Sequence, residues 1–97
     1  QLGYPPFSRL ARLVYAHTSL ETCQNKAEKM RDLLTGERES RGLADISLIG
    51  PAPAFVPRLY GKYRWQLIVR AYNPADFLAG IDFPRGWGID IDPVGLV

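Results

Sequence analysis

Between Gly50 and Tyr72 the sequence contains no aspartate or glutamate, although the same stretch carries Arg58, Lys62, Arg64 and Arg70. A solvated surface ordinarily mixes its charges, so a stripe of one sign points to an anionic partner. Other scarcities narrow the class further. The single cysteine, Cys23, excludes an internal disulfide, and with only one histidine it excludes a tetrahedral zinc site. A lone thiol fits a reducing, cytoplasmic setting. No apolar run approaches the roughly 20 residues a membrane span needs, so no membrane role is expected. No Gly-x-x-x-x-Gly-Lys-Ser/Thr phosphate loop exists: Gly61-Lys62 is followed by Tyr63, and no glycine precedes it at the required spacing. The opening residues, Gln1-Leu2-Gly3-Tyr4-Pro5-Pro6-Phe7, have neither an initiator methionine nor the basic and apolar regions of a signal peptide. They read as a piece of a longer protein.

What is present fits one soluble domain of 97 residues with a core of one or two layers. The net charge of +2 is small, so electrostatics depend on where the charges fall. Most of the positive charge precedes Tyr72, whereas Asp76, Asp82, Asp90 and Asp92 make the last stretch acidic. The longest strand-like segment is Tyr60 to Ala71. Alternation places Tyr63, Trp65, Leu67, Val69 and Ala71 on one face and Lys62, Arg64, Gln66, Ile68 and Arg70 on the other. The first face must be buried. The second is either the solvated side of a half-buried sheet or, given its one-signed charge, a surface for an anionic ligand.

Around that segment the chain divides by its own punctuation. Tyr4-Pro5-Pro6-Phe7 reads as extended, because proline fixes its own φ and moves its predecessor out of the helical region. Residues 1–7 are therefore expected to be a linker and residues 8–97 the domain. Ser8 to Ala16 predicts a strand with Ala11, Leu13 and Tyr15 inward and Leu10, Arg12 and Val14 outward. Thr18-Ser19-Leu20-Glu21 has the spacing of a capping box. The helix after it carries Leu20, Cys23, Ala27, Met30 and Leu34 along one stripe, and Gly36 is expected to stop it. Cys23 and Met30 in that stripe are core residues. Residues 36–42 read as a mobile, mixed-charge loop whose arginines do nothing specific.

Asp45 to Ile49 predicts a short strand ended by Gly50-Pro51-Ala52-Pro53, and Phe55 to Leu59 pairs with the long strand, Pro57 requiring a sheet edge. Arg58 is then expected near the basic face. Asn73-Pro74 starts a short second helix that ends at Gly80. Trp87 to Asp92 alternates as a last strand closed by Pro93. The order strand, helix, strand, strand, helix, strand defines an α+β fold of the split β-α-β type. Such a sandwich, ferredoxin-like or ribosomal-protein-like, has a four-stranded antiparallel sheet with both helices on one face. Lys62, Arg64, Gln66 and Arg70, joined by Arg12, line the bare face.

Four blocks in order, Tyr4-Pro5-Pro6-Phe7, Gly50-Pro51-Ala52-Pro53-Ala54, Tyr63-Arg64-Trp65-Gln66-Leu67 and Asp90-Ile91-Asp92-Pro93, resemble the C-terminal domain of primosomal protein N-prime, the PriA family of bacterial replication-restart helicases. The resemblance covers almost the whole chain. It implies a domain attached to a superfamily 2 motor that recognises abandoned forks, unwinds DNA with ATP and reloads the replicative helicase through other primosomal proteins. It further implies DNA binding, for which the basic face offers Arg12, Arg58, Arg64 and Arg70 as the expected residues. The acidic, phenylalanine-ended tail of the single-stranded DNA-binding protein would dock at Lys62, Arg64 and Gln66. Lys62 stands where the family more often has arginine, which keeps the charge but gives up bidentate recognition of a carboxylate. The family's paired zinc-binding cysteines are missing here. ATP, Mg and Zn chemistry are accordingly expected in the rest of the protein, which would act at the bacterial nucleoid, and this fragment is expected to be no enzyme.

Competing chemistry is weak. His17 has no nucleophile or carboxylate placed beside it by any motif and reads as a strand-end residue. Asp90 and Asp92 read as the end of a strand and its turn rather than a metal site. An acylphosphatase-like enzyme of the same architecture needs a glycine-rich loop where this chain has His17-Thr18-Ser19. The stronger alternative is an RNA- or ribosome-binding module. Readers of that kind display stacking aromatics, whereas Tyr63 and Trp65 are expected to point inward, which favours backbone contact and protein docking.

Overall fold

The structure, a computed structural model, describes residues 9–91, apart from the side chains of residues 55–59. The leading Tyr4-Pro5-Pro6-Phe7 segment, the proposed 1–7 linker, Asp92 and Pro93 lie outside the described residues. Strand β1 (Arg9–His17) is followed by helix α1 (Leu20–Ser40), strands β2 (Ser47–Leu59) and β3 (Lys62–Ala71), helix α2 (Pro74–Ala79) and strand β4 (Trp87–Ile91). All pairings are antiparallel and the sheet order is β2-β3-β1-β4. This is the expected α+β sandwich with its helices on one side.

The core forms where the inward face of each strand meets the helices. Ala11, Leu13, Leu67, Val69 and Ala71 from the two central strands pack with Met30 and Leu34 of α1 and with Phe77 and Leu78 of α2. Because odd residues of β1 pair with odd residues of β3, from Arg9 with Ala71 to His17 with Tyr63, a single register buries both inward sets together. The α1 stripe is realised by Cys23, Ala27, Met30 and Leu34, all buried, while Leu20, in the first helical position, stays exposed.

Four expectations are corrected. The cap of α1 is Ser19 rather than Thr18: Ser19 has extended backbone, and its hydroxyl accepts from the Thr22 amide at 3.3 Å. Gly36 does not end α1, which continues to Ser40, so most of the supposed loop is helical. The last turn is held from outside: Arg38 Nη1 donates to the Ile46 carbonyl at 3.1 Å, and Arg41 Nη1 donates to the Phe77 carbonyl at 3.2 Å. Arg41 also bridges to Glu37 at 3.1 Å and lies 5.4 Å from the Phe77 ring centroid, so these arginines join the end of α1 to the residue preceding β2 and to α2. Thirdly, β2 is one strand with register shifts rather than two short pieces. It is an edge strand, where proline costs no ladder bond on its outer side. Finally, Tyr63 and Trp65 are only half-buried and lie outside the core cluster. There the helical cover has thinned to the first turn of α1, where the one S–H of Cys23 is shared between the Tyr15 and Tyr63 carbonyls, at 3.3 and 3.5 Å from Sγ.

Candidate docking face

The uncovered face of the sheet is built by the even residues of the central strands. Leu10 pairs with Arg70, Arg12 with Ile68, Val14 with Gln66 and Ala16 with Arg64, while β2 sets Ser47 opposite Arg70 and Ile49 opposite Ile68. The result is more structured than a row of cations. Leu10, Val14, Ile68 and Ile49 form an apolar strip through its middle, and Ile49 is 51% exposed. Lys62 and Arg70 stand exposed toward the two ends of β3, and Arg64 and Gln66 are half-buried between them. Neither β2 nor β3 contains an acidic residue, so the charge of this strip comes from its cations.

Arg12, on the same face, is ion-paired. Asp90, its register partner on β4, lies 3.7 Å from its guanidinium, so its charge is locally balanced. This also answers for Asp90, which serves an ion pair, and among the described residues no cluster of three or more His, Cys, Asp or Glu side chains could hold a metal. Among the described residues, Arg12 Nε and Gln66 Oε1 are buried without hydrogen-bond partners. One is a donor and one an acceptor, on adjoining strands of the same face, and leaving such groups unmade is costly. The β2 register sets Arg58 opposite Tyr63; its side chain lies outside the described residues.

Two exposed aromatic side chains that the sequence pattern did not single out flank this face. Tyr60 is 93% exposed at the tip of the β2-β3 hairpin, and Tyr72 is 71% exposed one residue beyond β3. The signal was available: each lies just past an end of the amphipathic strand, where alternation no longer obliges an aromatic to face inward. His17, by contrast, is structural, its Nδ1 accepting from the Ser19 amide at 2.9 Å and its ring stacking on Tyr15 at 6.2 Å. Cys23 is also structural. Burial pushes its thiol pKa up, partly opposed by the backbone amides of Trp65 and His17. A shallow hollow of about 440 Å³ lined by Arg38, Glu39, Gly42, Leu43 and Ala44 sits at the C-terminal end of α1 and includes no residue of the cationic strip.

Fold and site together define an open-faced α+β sandwich with one sheet face covered by helices and the other presenting cations around an apolar strip. The family model of the primosomal protein N C-terminal domain matches residues 1–94, and the chain belongs to that family. It is 34% identical over 99 residues to a probable replication restart protein PriA of Deinococcus radiodurans, covering 96% of this chain and 10% of that protein. It is 30% identical over 105 residues to the replication restart protein PriA of Treponema pallidum, covering 99% of this chain and 15% of that protein. A third relative, the replication restart protein PriA of Synechocystis, is 33% identical over 69 residues, which cover 71% of this chain and 8% of that protein. The chain thus spans a small fraction of the length of these relatives. The family expected from the four sequence blocks is the family found.

Proposed function

We propose that this chain is the DNA-binding and partner-docking domain of a replication-restart helicase. The parent protein would be an ATP-dependent motor, with ATP, Mg and Zn bound outside this domain, working on DNA in the cytoplasm together with other primosomal proteins. The observation that carries this reading is the uncovered sheet face, where Lys62, Arg64 and Arg70 flank an apolar strip with no acidic residue on β2 or β3. Phosphates suit the cations of such a face. An acidic tail ending in phenylalanine also suits it, with carboxylates on the cations and the ring on Val14, Ile49 or Ile68.

Lys62, Arg64 and Gln66 share this face at a spacing of two residues, and they are the side chains assigned to the tail of the single-stranded DNA-binding protein. Arg64 and Arg70 are assigned to DNA. Arg12, balanced by Asp90, contributes less than an isolated cation would. Titrating the chain with the tail peptide tests the docking half. Lys62→Ala and Gln66→Ala should each weaken the peptide by about 1–3 kcal/mol without unfolding the chain. Unchanged peptide affinity in the double variant would remove the site from this face.

A further inference from the structure

Among the described residues, the exposed tyrosines at the two ends of β3 take no part in the core cluster. Tyr60 occupies the tip of a two-residue hairpin turn, with φ of +53° beside Gly61 at +77°. A turn with both central residues left-handed favours asparagine, aspartate or glycine. A tyrosine there adopts a backbone conformation that disfavours it and leaves its ring 93% exposed, so it brings neither burial nor turn propensity. Tyr72, 71% exposed, follows Arg70 and the inward-facing Ala71 at the opposite end. Between the two rings run the ten residues of β3, about 33 Å at ~3.3 Å per residue. Along that length Lys62, Arg64 and Arg70 supply positive charge without an acidic neighbour on β2 or β3.

We infer that Tyr60 and Tyr72 are stacking residues for the bases of a single-stranded nucleic acid whose phosphates follow Lys62, Arg64 and Arg70 along β3. This rests on the reading of the face as a DNA-binding surface and adds to it how the strand is held. A ring at each end and cations between form a track that is indifferent to sequence, because every base offers a π-face while every nucleotide offers the same phosphate. An acidic peptide would use the cations equally well, but it carries no regular series of aromatic groups to occupy two rings this far apart.

The test compares two probes of equal length and charge: a single-stranded DNA oligonucleotide and the corresponding abasic deoxyribose-phosphate strand. Each is titrated against the chain and its Tyr60→Ala, Tyr72→Ala and Tyr60→Phe variants. The inference predicts that each alanine variant loses roughly 5- to 100-fold for the base-bearing strand and nothing for the abasic one. Its salt slope stays unchanged and Tyr60→Phe keeps wild-type affinity. Salt-dependent binding of both probes that ignores both tyrosines would overturn the stacking role and leave the DNA-binding reading standing. Binding of neither probe by the wild-type chain would overturn both. Loss of an acidic, phenylalanine-ended peptide in Tyr60→Ala, with DNA binding intact, would overturn the inference by giving that ring to a protein ligand.

Discussion

Arg41 shows how much one side chain can decide. It lies in a segment that reads as a polar loop, yet it donates to the Phe77 carbonyl, pairs with Glu37 and faces the Phe77 ring, tying the end of the long helix to the short one. Arg41→Ala should cost about 1–2 kcal/mol in urea unfolding. Arg41→Lys should recover only part of this, since lysine lacks the planar fork; full recovery would reduce the contact to charge alone. Its role was hidden because the partner is 36 residues away in sequence, and no local pattern announces such a contact. Cys23 was legible, being on the apolar stripe. With burial raising its thiol pKa, it should resist alkylation until the chain unfolds. The sign for stability follows from proton binding: above the ordinary thiol value of 9.0 the unfolded chain releases the proton while the folded chain keeps it. Stability should therefore fall as pH rises through the alkaline range, and the wild-type loss should exceed that of Cys23→Ala in paired denaturation curves.

At the scale of the element, the decisive piece is the β2-β3 hairpin. Proline at positions 51, 53 and 57 breaks the strand pattern in sequence, and only the place of β2 at the sheet edge makes a continuous strand possible. Edge position is a property of the assembled sheet, so the strand looked like fragments. Gly50 lies in the first of the two register shifts of β2. Its φ is +101°, and a Cβ there would lie 3.0 Å from the Gln66 carbonyl oxygen. Gly50→Ala should destabilise by about 1–3 kcal/mol and disturb Gln66. Gly61→Ala, left-handed but facing open space, should cost only about 1 kcal/mol. Equal effects would show that crowding at Gly50 is unimportant. The start of α1 offers a similar contrast. Ser19→Ala should lose ~1 kcal/mol of stability, whereas Thr18→Ala should lose little. The capping box was found from its spacing, but Thr18 and Ser19 are both capping residues, and the backbone turn after β1 chose between them.

For the whole molecule, the sheet alternation and the element order were enough to foresee the sandwich, the core face of each central strand and the uncovered face opposite. The composition of that uncovered face was less legible. Val14, Leu10 and Ile49 join it through pairings between distant strands, and Asp90 reaches Arg12 across the β1-β4 pair. Those pairings turn an apparent stripe of cations into an apolar strip with Lys62, Arg64 and Arg70 along it and Arg12 balanced. They also set the number of phosphates the face can neutralise. If Lys62, Arg64 and Arg70 each contact one phosphate, at roughly 0.7 counterions per phosphate of a single strand, the log-log salt slope should be about −2. The most direct test is a titration of the chain with fluorescent single-stranded DNA at several salt concentrations, beside the Arg64→Ala/Arg70→Ala variant. A slope near −2 that collapses in the variant is the result expected of a nucleic-acid face on β3. Affinity indifferent to salt, or a slope the variant leaves intact, would contradict it.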